Sequence, residues 1–250
     1  MVQSYYPNED TNLNIARGLV KGTFGVHKQG AVQELSQNQT GTVWGYNDTK
    51  YPWSAWDAGA NTVVITSDAL DVGKFLTIEG LDSNFETVKE DVNLSSTVVT
   101  TNTEFSRINF MYVHNGGTNN IKDIVLNTNG ANVAIVKANT GQALMGVYTV
   151  PAGYTAYITK GVMSCQASAD GTGNMYIRFK EGYFAENTVT GFITAHTFEV
   201  SGAGGKYCYD FTIPQAIPEK SDIDIQVTTR TNNGRFTCAW DMILIKNGLS

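Results

Sequence analysis

Carboxylates are the side chains of this sequence whose spacing comes nearest to a chemistry. Glu79, Asp82, Glu86, Glu90 and Asp91 crowd one predicted hairpin, and Asp222 and Asp224 stand two apart on one predicted strand. Two acids on one strand face lie roughly 7 Å apart, which suits a calcium ion or a hydrolytic pair. The competing expectation is a solvent-facing strand, where charged residues are ordinary, and that structural role is the one favoured. Other constellations fail on spacing. His27, His114 and His196 fall in separate segments with no HxH or HExxH pattern, so zinc has no ligand set. There is no GxSxG elbow, no Walker-type phosphate loop and no GxGxxG after a strand. The GAGGK run at 202–206 lies between two strands with no helix behind it and reads as a hairpin loop. Cys165, Cys208 and Cys238 are far apart and odd in number, so a disulfide framework is not expected. The expectation is a chain that is not an enzyme: no catalytic residue, no cofactor and no metal.

Adhesion is the other chemistry on offer. Trp44, Trp53 and Trp56, three of the four tryptophans, cluster with Tyr46, Tyr51 and Pro52. Such a cluster either plugs the end of a β core or anchors an interface, with a sugar platform behind those two. Residues 1–40 carry Tyr5, Tyr6, Leu13, Ile15, Leu19 and Phe24 without a regular apolar period, and Gly18 and Gly22 oppose a long helix. They read as an extended arm with little core of its own. Its apolar side chains, with the three tryptophans, are the expected interface.

The elements that must position these groups are strands. The sequence predicts strands over 61–66, 74–79, 85–94, 97–100, 105–113, 121–127 and 131–138, with turns at 80–84 and 115–120. Beyond 147 the apolar runs 175–179, 207–213, 223–227 and 240–245 continue the pattern, separated by glycine- and asparagine-rich turns. The expected fold is all-β: an arm over 1–40, a first β domain over 41–140 and a second, jelly-roll-like domain over 141–250, both sandwich-like. The 250 residues suffice for such cores.

Composition narrows the partners. The net charge is −6 and only 16% of residues are charged, against roughly a quarter in average domains. With 17 scattered basic residues, a nucleic-acid groove is not expected. No apolar run reaches the length of a membrane span, and the first residues do not form a secretory signal, so cytoplasmic synthesis is expected. A polar, weakly charged surface suits subunits that bury area against many copies.

Four stretches carry a resemblance. Val26-His27-Lys28-Gln29-Gly30-Ala31-Val32, then Trp44 before Tyr51-Pro52-Trp53, the hairpin stretch LTIEGLDSNFETVKEDVNL and the later YTVPAGYTAYITKG resemble virion structural proteins of tailed phages of marine bacteria and cyanobacteria. The resemblance covers most of the chain. It implies a particle component made in the host cytoplasm and located in the virion, and assigns no functional residue. The leading expectation is a non-enzymatic capsid decoration or cement-type head protein, homo-oligomeric and docked on the major capsid protein. A tail component, such as an adaptor or a host-glycan-binding module, is the alternative.

Overall fold

The computed structural model describes residues 11–45, 49–115, 119–166, 168–179, 191–202 and 205–248. Tyr5 and Tyr6 lie outside them, as do parts of the turns expected at 115–120 and 202–206. Among the described residues a short α-helix, α1 (Thr11–Ala16), precedes β1 (Thr23–Leu35) and β2 (Thr40–Thr42). Then follow β3 (Val64–Thr66), β4 (Phe75–Leu81), β5 (Thr87–Asn93), β6 (Val99–Thr100), β7 (Arg107–His114), β8 (Ile124–Thr128) and β9 (Ala131–Val136). The chain continues with β10 (Tyr148–Thr149), β11 (Tyr154–Cys165), β12 (Asp170–Arg178), β13 (Ile193–Ser201), β14 (Lys206–Ile217), β15 (Asp222–Thr229) and β16 (Gly234–Lys246). The protein is nearly all-β, built from small antiparallel sheets.

Two of these sheets face one another. One has the order β1-β16-β11-β14, the other β10-β15-β12-β13 with β2 also on β15. Strands pair from the outside in: β1 with β16, β2 and β10 with β15, β11 with β14, and β12 with β13. Contacts of β16 with β11 and of β15 with β12 then close each sheet. Inward side chains alternate along the strands, as Ile223, Ile225 and Val227 do on β15 and Phe236, Cys238, Trp240 and Met242 do on β16. Together they form one continuous core.

The remaining strands form a second body, inserted into a strand of the first. Thr40, Gly41 and Thr42 pair with Thr228, Val227 and Gln226, and the Val43 amide donates to Ile225 O. The chain then leaves and returns at Tyr148 and Thr149, which pair with Ile223 and Asp222 on the same edge of β15. Residues 44–147 therefore interrupt one strand. Within them lie a β6-β3-β8-β9 sheet and a β5-β4-β7 sheet around a separate apolar cluster that includes Ile65, Leu76, Ile78, Phe105, Leu126 and Val133.

The expected arm over 1–40 is corrected by this topology. β1 runs beside β16 over its whole length, from Thr23 opposite Ile245 to Leu35 opposite Gly234. Val32 and Leu35 are buried in the sandwich core, so the second β unit is assembled from both ends of the sequence rather than from 141–250 alone. The strand escapes the eye because its inward positions include Lys28 and Gly30, which break the apolar alternation.

Candidate functional site

The densest polar chemistry lies where the inserted body meets the sandwich. Asp222 of β15 is the centre of it. Its carboxylate accepts from Arg107 Nε (2.9 Å) and Nη2 (3.3 Å), from Arg178 Nε (2.9 Å) and Nη2 (2.7 Å), and from the Thr149 hydroxyl (2.6 Å). Arg107 comes from β7 of the insert and Arg178 from β12 of the sandwich, so one carboxylate ties the two bodies together. The Trp53 ring lies between the guanidiniums, 5.7 Å from that of Arg107 and 5.3 Å from that of Arg178. The Phe85 ring covers Arg107 from the hairpin tip. Phe85 adopts φ 65°, a left-handed conformation costly for a bulky residue, and its carbonyl accepts from the Ala152 amide of the sandwich.

Asp224 stands two residues on, facing the same way. Trp53 Nε1 donates to its Oδ2 at 3.0 Å and Gln226 Nε2 at 2.8 Å, while Oδ1 is buried without a partner. Burial pushes the Asp224 carboxyl up, against the hydrogen bonds from Trp53, Gln226 and Thr42. The acid pair foreseen on a solvent face is thus buried instead: Asp222 is 3% and Asp224 0% exposed. The alternation of β15 is real, but the insert covers its polar side. With two guanidiniums on one acid and an indole on the other, neither is free to take a proton from substrate or to hold a cation. Of the other acids weighed, Glu79 pairs with Lys89, Asp82 caps the hairpin turn, and Glu90 accepts from the Asn102 and Thr103 amides.

Lys28 is a further buried charged residue of the junction. It is 3% exposed, its ammonium donates to Asn109 O of β7, and it sits 4.1 Å from the Phe110 ring centre. Burial lowers its pKa to about 7, with Cys238 nearby opposing the shift, and pushes the Cys238 thiol up to about 12. Beside it the backbones touch at the neck of the insert. A Cβ on Gly30 would lie 2.3 Å from Val43 O and 2.6 Å from Gly146 N, so only glycine fits.

The residues expected to form an interface separate into two groups. Trp44, Trp53 and Trp56 are 1%, 8% and 3% exposed, with each indole N–H bonded within the chain to Thr49 O, Asp224 and Tyr51 Oη respectively. Trp53 plugs the junction, while Trp44 and Trp56 pack in the insert's own core, so their burial leaves the three no face for a sugar or a docking partner. Ile15 is buried, with a methyl carbon 3.9 Å from where a Cβ on Gly25 would stand. Leu13, Leu19 and Phe24 are about half exposed, at 54%, 47% and 51%, and the Phe24 ring meets Tyr154 edge-on at 5.9 Å. Arg107, Arg178 and Lys28 escaped the sequence reading. Only their places among aromatic and inward-facing neighbours could have signalled them.

Among the described residues no group of three or more His, Cys, Asp or Glu side chains is arranged to hold a metal ion, and no helix is long and apolar enough to cross a membrane. No family model matches the sequence, and no curated protein does. The structure is similar to chains of the T13 infectious bursal disease virus particle, at 9% identity and a TM-score of 0.25 over 90% of this chain and 70% of that one. It is also similar to infectious bursal disease virus of the Gx strain, at 9% identity and 0.23 over 91% and 73%. The VP2 subviral particle of the same virus gives 9% and 0.23 over 90% and 72%. These scores lie below those of a shared fold.

Proposed function

We propose that this chain is a non-enzymatic virion structural subunit, a jelly roll with an inserted β body, that decorates a phage head by docking on the major capsid protein. The observation that carries the reading is the outside-in pairing of the sandwich strands, β1–β16, β2/β10–β15, β11–β14 and β12–β13. A long hairpin rolled up in that order is a jelly roll, an architecture of viral capsid and lectin domains. The phage-like motifs support the same role, because their residues do mechanical work here. Lys28, Gly30, Tyr51 and Trp53 join the insert to the sandwich, and Trp44 packs in the core of the insert. A rigid, weakly charged subunit with half-exposed Leu13, Leu19 and Phe24 at one end suits assembly on a lattice.

One observation favours the tail alternative with a host-glycan-binding module. Tyr207, Tyr209 and Phe211 form a partly exposed aromatic row around His196 at the sandwich edge, and aromatic faces suit sugar rings. Quantitative mass spectrometry of purified particles separates the readings. A head decoration protein is present at the copy number of the capsid lattice, whereas a tail component is present in a few copies. Absence from the particle overturns both.

A further inference from the structure

Among the described residues the outer edge strand of the first sheet, β14, is paired on one side only. β14 pairs with β11 on one side, from Lys206 opposite Ser164 to Asp210 opposite Lys160. Among the described residues no strand pairs with its other side. The opposite edge of the same sheet is handled differently: at Ala31 of β1 it is covered by bonds to Leu144 O and from the Gly45 amide. An unpaired strand edge is a row of open backbone donors and acceptors, and proteins that stay monomeric blunt it. On β14 the blunting is confined to one end. The register jumps between Ile158 and Lys160 of β11, which leaves 211–214 bulged, with Pro214 inside the bulge. Residues 206–210 precede it and stay regular.

Their sequence, Lys206-Tyr207-Cys208-Tyr209-Asp210, is self-complementary when read antiparallel to itself. We propose that 206–210 of two copies pair across a two-fold axis through Cys208, joining two sheets into one. Lys206 of each copy then stands opposite Asp210 of the other, twice. Tyr207 stands opposite Tyr209, also twice, and Cys208 meets its own image on the axis. Directly opposed charges and aromatic rings are the pairs that stabilise antiparallel strands. The groups involved are accessible: Lys206, Cys208 and Asp210 are exposed, Tyr209 is 39% exposed, and the Asp210 side chain is 76% exposed. The present partner of Asp210, Lys160 at 3.3 Å, lies in an exposed pair that a second lysine joins without displacement. This surface deepens the reading of an oligomeric virion subunit by naming where copies meet, and it is measured apart from the particle.

Sedimentation of the purified chain over a concentration series tests it. The wild type should show a monomer–dimer equilibrium. Asp210→Lys and Lys206→Asp should each weaken it roughly tenfold or more, because two symmetry-related attractions become repulsions. The double variant Lys206→Asp/Asp210→Lys restores both pairs and should dimerise again. A second arm uses the axis. Opposed Cα atoms in an antiparallel pair are about 4.5–5.5 Å apart, inside the span of a disulfide. Diamide, taking up two electrons and two protons from the two thiols, should therefore trap a Cys208–Cys208 dimer on a non-reducing gel, and Cys208→Ser should abolish it. Cys165 and Cys238, at 8% and 6% exposure, are too buried to substitute. A chain that stays monomeric at every soluble concentration and forms no cross-link overturns the proposal, as does a dimer indifferent to the charge swaps. If that monomeric chain is still found in particles, the dimer falls and the virion reading stands.

Discussion

Asp222 holds two guanidiniums in a site from which water is largely excluded, with the side chains of Arg107 and Arg178 only 10% and 21% exposed. Removing the acid alone strands both cations. Asp222→Ala should cost about 3–5 kcal/mol in urea unfolding, the usual penalty for breaking a buried pair from one side. Lys28 and Asp224 differ, since burial is the largest influence on each, and their linkage to pH runs in opposite directions. The Lys28 pKa falls on folding, so between about 7 and 10.5 the unfolded chain binds a proton that the native one does not, and stability rises with pH across that window. The Asp224 pKa rises on folding, so its contribution is present below 3.8 and is lost as pH climbs through the native value. Lys28→Met should therefore exceed the wild type in stability below pH 7, by a margin that shrinks toward pH 10. Asp224→Asn should gain on the wild type in the other sense, from acid toward neutral pH. Urea midpoints of the three proteins at pH 4, 7 and 9 check both signs, and parallel curves would contradict them.

β15 shows what the sequence tells of an element and where it stops. Its alternation, Asp222-Ile223-Asp224-Ile225-Gln226-Val227, reads as a strand with one apolar face, and that is what forms. The destination of the polar face was hidden, because the insert that covers it folds from residues 44–147, far away in the chain. β4, β5 and β7 were legible from local pattern and turn chemistry. β1 was not, since Lys28 and Gly30 owe their places to the neck of the insert rather than to strand periodicity. The two halves of the interrupted strand, β2 and β10, are the most telling case. Thr40–Thr42 and Tyr148–Thr149 look like loop ends in sequence, and only their shared edge on β15 makes them one strand. It follows that the insert is separable. Replacing 44–147 by a short glycine linker should leave a cooperatively folding sandwich, because the chain leaves and returns at one point, where the Gly146 amide donates to Val43 O at 2.6 Å. Loss of cooperative unfolding by calorimetry would show instead that the sandwich depends on the Asp222 and Trp53 contacts of the insert.

At the scale of the molecule, two β cores are joined at a neck by glycine packing and buried ion pairs. Asp222, Arg107, Arg178 and Lys28 sit at that neck. Asp222, Asp224 and Trp53, read in the sequence as part of a hydrolytic pair or a sugar platform, lie where the two bodies meet. Exposed apolar residues at the α1 end and a self-complementary edge strand are the surfaces that the proposed assembly would use. A cryo-EM reconstruction of the phage particle tests that account most directly. The proposed head role predicts density for the sandwich and its insert repeated over the head lattice, seated on the major capsid protein. Density for this chain confined to the tail, or a particle that lacks it, would contradict the account.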